Sequence, residues 1–138
     1  MTKAEEKSID TLHRRQLRKL LGIRYPTKIS NASLYKKCIE KPLSLYIMKS
    51  RWELFGHILR RDINIPANKA MNGYFVKCGD SFRGRPPTTL PIVLNRDLAL
   101  IKMGLKNQLD LERLRSMAQD RQHWRDFTSR IVKTAEVT

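Results

Sequence analysis

The stretch Pro42–Arg61, PLSLYIMKSRWELFGHILRR, decides the reading of the fold. At ~100° per residue Leu45, Met48, Trp52, Phe55 and Leu59 fall on one stripe, which Ile47, Leu54 and Ile58 widen. Pro42 suits the first turn of such a helix, where its missing N–H is not needed. So broad an apolar side predicts the central core helix of an α-helical fold. Gly56 lies on the stripe and lets another helix approach closely. Arg51 projects into the apolar arc, where it needs a partner or a snorkelling path to water.

Working outward, the apolar residues keep helical spacing on both sides. Over Lys3–Leu21, Ile9, Leu12, Leu17, Leu20 and Leu21 fall on one side, and Lys7, Arg14, Arg15, Arg18 and Lys19 on the other. This pattern predicts an amphipathic helix with a basic back. Gly22 stands where a helix stops, and Tyr25-Pro26 cannot continue it. Ser30 is placed to cap a short helix through about Cys38, with Leu34 inward and Lys36 and Lys37 outward.

On the C-terminal side, Asp62 to Pro87 reads as a short helix near Ala67–Met71 followed by loop, with Gly73, Gly79, Gly84, Pro86 and Pro87 as breakers. Tyr74-Phe75-Val76 has strand-like composition but no pairing partner, so it is assigned to the loop. Thr88 or Thr89 starts a helix through about Lys102, which Gly104 ends. Asp110 is the expected cap of a helix carrying Leu111, Leu114, Met117 and Ala118. Asp120 caps the next, where Trp124, Phe127 and Ile131 share a face.

The expectation is an all-α, irregular bundle of five or six helices in a single domain over residues 1–138, with a Gly/Pro-rich basic loop near residues 73–87. Its parts are basic N-terminal helices over 3–61, a short helix and loop over 62–87, C-terminal helices over 88–134 and a frayed tail at 135–138.

Length and composition agree with one folded unit: 138 residues suit one domain of roughly 100 to 200. Apolar residues make up 41% and charged residues 30%, enough for a core and against general disorder. The net charge of +15 points to a polyanionic partner. It is uneven: residues 1–62 carry 15 basic and 6 acidic side chains, residues 63–107 carry 7 and 2, and residues 108–138 carry 6 and 5. The anion-facing surface is therefore expected in the first two thirds.

Catalysis has little to work with. Two-metal phosphoryl transfer needs clustered carboxylates, yet there is no Asp-Asp or Asp-x-Asp, and the compact pair Glu5-Glu6 sits in a polar leader. Cys38 and Cys78 form neither a disulfide framework nor a zinc pattern, and nothing local pairs either with a histidine. His13, His57 and His123 read as surface or boundary side chains on helices. Neither a phosphate-binding lysine loop nor a dinucleotide fingerprint occurs. We expect no enzyme activity, no catalytic or metal-ligating set, no cofactor and no small-molecule substrate. A reduced, intracellular, nuclear or cytoplasmic setting is expected, without secretion or membrane spanning.

Basic recognition stands out instead. Arg14, Arg15, Arg18 and Lys19 on the first helix and Lys36 and Lys37 on the second can track phosphates, releasing condensed counterions. Arg83-Gly84-Arg85-Pro86 resembles the core of an AT-hook. Arg83 and Arg85 suit minor-groove insertion, general phosphate contact or a plain interhelical linker. Trp52, Phe55, Trp124 and Phe127 have core spacing. Tyr25, Tyr35, Tyr74 and Phe82 are better placed to stack on bases.

The order of the motifs carries a further signal. His13-Arg14-Arg15-Gln16-Leu17-Arg18-Lys19-Leu20-Leu21-Gly22-Ile23 is followed by Ile29-Ser30-Asn31, then by Arg51-Trp52-Glu53-Leu54-Phe55-Gly56-His57-Ile58-Leu59-Arg60. Arg83-Gly84-Arg85-Pro86, Ala118-Gln119-Asp120-Arg121 and Trp124-Arg125 complete the series. In this order they resemble the C-terminal, post-polymerase, thumb-like region of endonuclease and reverse transcriptase proteins of non-LTR, LINE-type retrotransposons. The resemblance implies a helical, basic appendage that helps hold template RNA or target DNA. The parent family's Asp-Asp box and endonuclease domain have no counterpart here. A fragment of a transposon reading frame, a decayed copy and a domain co-opted by its host all fit the resemblance. The alternative is a protein-interaction module that docks onto a reverse transcriptase polymerase core or self-associates, using Leu114, Met117, Trp124 and Phe127.

Overall fold

The computed structural model describes residues 1–76, 83–84 and 88–137. Among them the chain is all-helical, with seven helices where the sequence predicts five or six, and no strand. These are α1 (Lys3–Leu20), α2 (Asn31–Cys38), α3 (Leu43–Arg60), α4 (Pro66–Val76), α5 (Leu90–Ala99), α6 (Gln108–Gln119) and α7 (Arg121–Val137). The chain divides into two units, Met1–Met48 and Lys49–Thr138, and the division falls within α3.

In the first unit, local chemistry sets the helix ends. Thr2 and Glu5 exchange hydrogen bonds in a capping box at the start of α1. At its end Gly22 takes φ +68°, Gly22 N–H donates to Lys19 O and Ile23 N–H to Arg18 O, the Schellman pattern. Ser30 caps α2 by accepting from Ser33 N–H at 3.2 Å. Asp10, on α1, accepts from both the backbone N–H and the hydroxyl of Ser44 in the first turn of α3. Leu34 and Leu45 are the buried apolar side chains of this unit.

The orientation of α1 corrects the sequence reading. It buries none of its side chains, and Leu12, Leu20 and Leu21 of the expected inward stripe are exposed, Leu20 to 82%. Ile9 and Leu17 of that stripe are half-buried, and the half-buried face continues through Asp10, His13, Arg14 and Arg18 at i, i+3, i+4 spacing. Polar bonds fix that rotation: Arg14 donates to the Tyr35 hydroxyl, and Arg18 to Asn31 Oδ1 at 2.8 Å and to Ile29 O.

In the second unit an aromatic cluster fills the core. Trp52, Phe55, Trp124 and Phe127 are buried, and Trp52 meets the other three rings at centroid distances of 5.7 to 5.9 Å. The α3 stripe holds at Trp52, Phe55 and Leu59, whereas Leu54, expected to widen it, is exposed. Trp124 lies over Gly56 and its Nε1 donates to Trp52 O at 3.0 Å. A Cβ at position 56 would overlap the Trp124 indole. Gly56→Ala is therefore expected to lower the unfolding free energy by about 1–3 kcal/mol, measured by urea denaturation followed by circular dichroism. An unchanged midpoint would show that the ring can yield.

Several local boundaries differ from expectation. Tyr74, Phe75 and Val76, assigned to loop, lie in α4, which runs from Pro66 at its first position past Gly73. Tertiary contacts override the glycine: Met71 is buried, and Arg115 of α6 reaches Asn72 Oδ1 at 3.3 Å. Of the loop expected at 73–87, residues 77–82 and 85–87 lie outside the described residues. The chain turns after α5 at Lys102, φ +58°, rather than at Gly104. Asn107 caps α6, accepting from Asp110 N–H at 2.9 Å, while Asp110 reaches back to Lys106 N–H. Asp120 caps α7 as predicted, accepting from Gln122 and His123 N–H. α7 continues through Lys133 to Val137, beyond the fraying point expected at 135, with Ile131 buried and Thr134 bonded to Arg130 O.

Candidate nucleic-acid interface

The cations of α1 divide by the same rotation. Arg14 and Arg18 are half-buried and committed to α2, and a guanidinium holding internal acceptors is less free for phosphate. Lys7, Arg15 and Lys19 stand at i, i+8 and i+12 on the outer face, with Thr11 at the intervening i+4 position, and all three are exposed. Lys36 and Lys37 are exposed in the last turn of α2, where the helix dipole favours positive charge. None of these five is paired with a carboxylate among the described residues. Thr11 and Leu12 stand within the same stretch, and with Lys7 and Arg15 they line a shallow groove along the helix.

The remaining candidates are dispersed. Arg83 is described and exposed, beside Gly84 at φ +110°; Arg85, Cys78 and Phe82 lie outside the described residues. Tyr25 is 89% exposed, Tyr35 is tied to Arg14, and Tyr74 is partly exposed against Phe75. Trp52, Phe55, Trp124 and Phe127 are buried and unavailable for stacking on bases.

In the second unit the sequence reading missed a cationic group. Arg60 on α3 and Arg121 and Arg125 on α7 line one cavity with Glu53, His57 and Trp124. Burial first, then the neighbouring charges of Arg121 and Arg125, pulls the Arg60 guanidinium below its ordinary value. The near-neutral charge of residues 108–138 concealed this local excess. Arg60 against Trp124-Arg125 is legible only once α3 and α7 are packed.

The second unit also holds a buried ionic cluster. Asp97 on α5 is 2% exposed and accepts from Arg51 Nη1 at 2.7 Å and Trp52 Nε1 at 3.0 Å. Burial raises its carboxyl above the ordinary range, against the opposing pull of Arg51, the indole N–H and Arg96. Arg51 thus has the partner its place in the apolar arc requires.

Among the described residues no group of three His, Cys, Asp or Glu side chains comes together as a metal site requires. No helix there is long and apolar enough to cross a membrane. Comparison with protein-family models, curated proteins and solved structures finds no match to this chain.

Proposed function

We propose that this chain is a non-catalytic nucleic-acid-binding helical domain, a fragment or relic of the C-terminal region of a retrotransposon reverse transcriptase, that contacts RNA or DNA phosphates. The observation that carries the reading is the exposed outer stripe Lys7, Arg15 and Lys19, without a carboxylate partner among the described residues, together with Lys36 and Lys37 exposed on α2. Arg15 and Lys19 are one i, i+4 step apart, about 6 Å along the axis and comparable with the spacing of backbone phosphates, and Lys7 precedes Arg15 by two such steps. The motif order from His13 to Arg125 supports the ancestry.

Binding to single- or double-stranded nucleic acid should be strong at about 50 mM salt and fall with a log–log slope of about −0.7 to −0.9 per phosphate contacted. The rotation of α1 sharpens the expected outcome of mutation. Arg15→Glu with Lys19→Glu should flatten the slope without unfolding the chain, whereas Arg14→Glu and Arg18→Glu act mainly on stability. A salt titration with labelled RNA and DNA, paired with thermal melts, measures both. Binding that is absent at low salt, or a slope indifferent to Arg15 and Lys19, overturns the reading.

A second reading, docking onto a reverse transcriptase polymerase core or self-association, draws on the exposed apolar side chains Leu12, Leu20, Tyr25 and Ile39. It shifts the contact from where the sequence suggests, because Leu114, Trp124 and Phe127 are buried.

A further inference from the structure

The cavity between α3 and α7, about 470 Å³, gathers positive charge where the helix geometry disfavours it. Glu53, His57 and Arg60 follow i, i+4, i+7 on α3, and Arg121, Trp124 and Arg125 follow i, i+3, i+4 on α7, so each set shares one helix face. Arg60 and His57 sit in the last turn of α3, where cations are favoured. Arg121 and Arg125 occupy the first two turns of α7, at the positive pole of its dipole, and its first turn has no acidic residue. Three guanidinium groups therefore converge with a helix dipole that adds to their repulsion.

The opposing charges do not neutralise them. Glu53 is exposed and lies 3.9 Å from Lys49 on its own helix. Asp120 precedes Arg121, but its carboxylate already accepts the amide hydrogens of Gln122 and His123. Neither Arg121 nor Arg125 has a carboxylate partner among the described residues. Arg60, by contrast, is anchored: one Nη donates to Ala118 O at 3.1 Å, which fixes its side chain and leaves its other donors free. Trp124, pinned through Nε1 to Trp52 O, forms an apolar wall.

We propose that this cavity is a phosphate-binding site in which Arg60, Arg121 and Arg125 hold the oxyanion by charge-assisted hydrogen bonds. Bidentate guanidinium–phosphate pairing fits the residue type, and the anchored Arg60 loses little rotamer freedom on binding. The site belongs to the unit Lys49–Thr138 and uses no residue of the α1 stripe. The phosphate belongs either to a polynucleotide backbone or to a free ion, and the chemistry of capture is the same for both.

The test uses the full chain, with inorganic phosphate followed by calorimetry or NMR shifts and chloride at equal ionic strength as control. Saturable binding is expected, weakened about tenfold or more in Arg121→Gln/Arg125→Gln, as loss of charge-assisted bonds implies. Both positions are exposed and circular dichroism checks the fold, whereas Arg60→Gln also removes the bond to Ala118. Lys133→Gln, an exposed charge outside both the cavity lining and the α1 stripe, should leave phosphate affinity unchanged. Loss of phosphate binding while Arg15→Glu with Lys19→Glu still flattens the nucleic-acid salt slope separates failure of this site from failure of the α1 reading. A short oligonucleotide with free 5′ and 3′ hydroxyls then identifies the source. If it displaces phosphate, and Arg121→Gln/Arg125→Gln weakens its binding, the site takes backbone diesters. If it does not displace phosphate, the site takes the free ion. The proposal is overturned if phosphate acts no differently from chloride, or if the double variant binds it as tightly as the parent.

Discussion

Trp52→Ala should lower the unfolding free energy by about 3–5 kcal/mol, read as a fall in urea midpoint by far-ultraviolet circular dichroism. The residue is fully buried and its indole touches Phe55, Trp124 and Phe127, so truncation leaves a cavity that three rigid rings cannot close. Its Nε1 also donates to Asp97. Trp52→Phe retains most of the ring contact and loses that donor, with an expected cost of about 1–3 kcal/mol. A loss under about 1 kcal/mol for alanine would mean that the cluster re-packs, and the account of this core would fail.

Asp97→Ala should be of similar size, about 3–5 kcal/mol, because it strands a largely buried Arg51 guanidinium without its counter-ion. The isosteric Asp97→Asn separates charge from shape and exposes a pH dependence. Burial raises the folded-state pKa of Asp97, so over the interval between its unfolded and folded values the folded chain binds the extra proton. The contribution from this group is therefore fully present below the unfolded value and is lost as pH rises through the folded one. Parent stability relative to Asp97→Asn should be greatest near pH 4 and shrink towards pH 7, as paired urea titrations would show. A gap that widens with pH would show that Arg51 outweighs burial and would reverse the assigned direction.

Signals written in a few consecutive residues were legible in the sequence. Gly22, Ser30 and Asp120 mark helix ends because capping depends on backbone conformation and on one side chain within three positions. The Trp52, Phe55 and Leu59 stripe was legible because large apolar side chains at that spacing have no lower-energy place than a core. Where two local solutions compete, the reading failed: Asn107 and Asp110 can each cap, and Asn107 accepts from Asp110 N–H while the Asp110 carboxylate accepts from Lys106 N–H. Long-range effects were hidden altogether. The rotation of α1 depends on acceptors at Ile29, Asn31 and Tyr35, and the length of α4 depends on Arg115, more than forty positions away in sequence. The same limit applies to the candidate sites. Arg14, Arg15, Arg18 and Lys19 were visible as one basic run, but not which pair faces outward. Arg60, Arg121 and Arg125 share a cavity that a regional charge balance averages away.

Both indoles of the chain, Trp52 and Trp124, belong to the unit Lys49–Thr138, whereas Tyr25, Tyr35 and Tyr46 belong to Met1–Met48. Emission excited at the red edge of indole absorption is therefore a private reporter of one unit, and phenol emission is weighted towards the other. The molecule carries its own two-colour assay of whether its halves melt together.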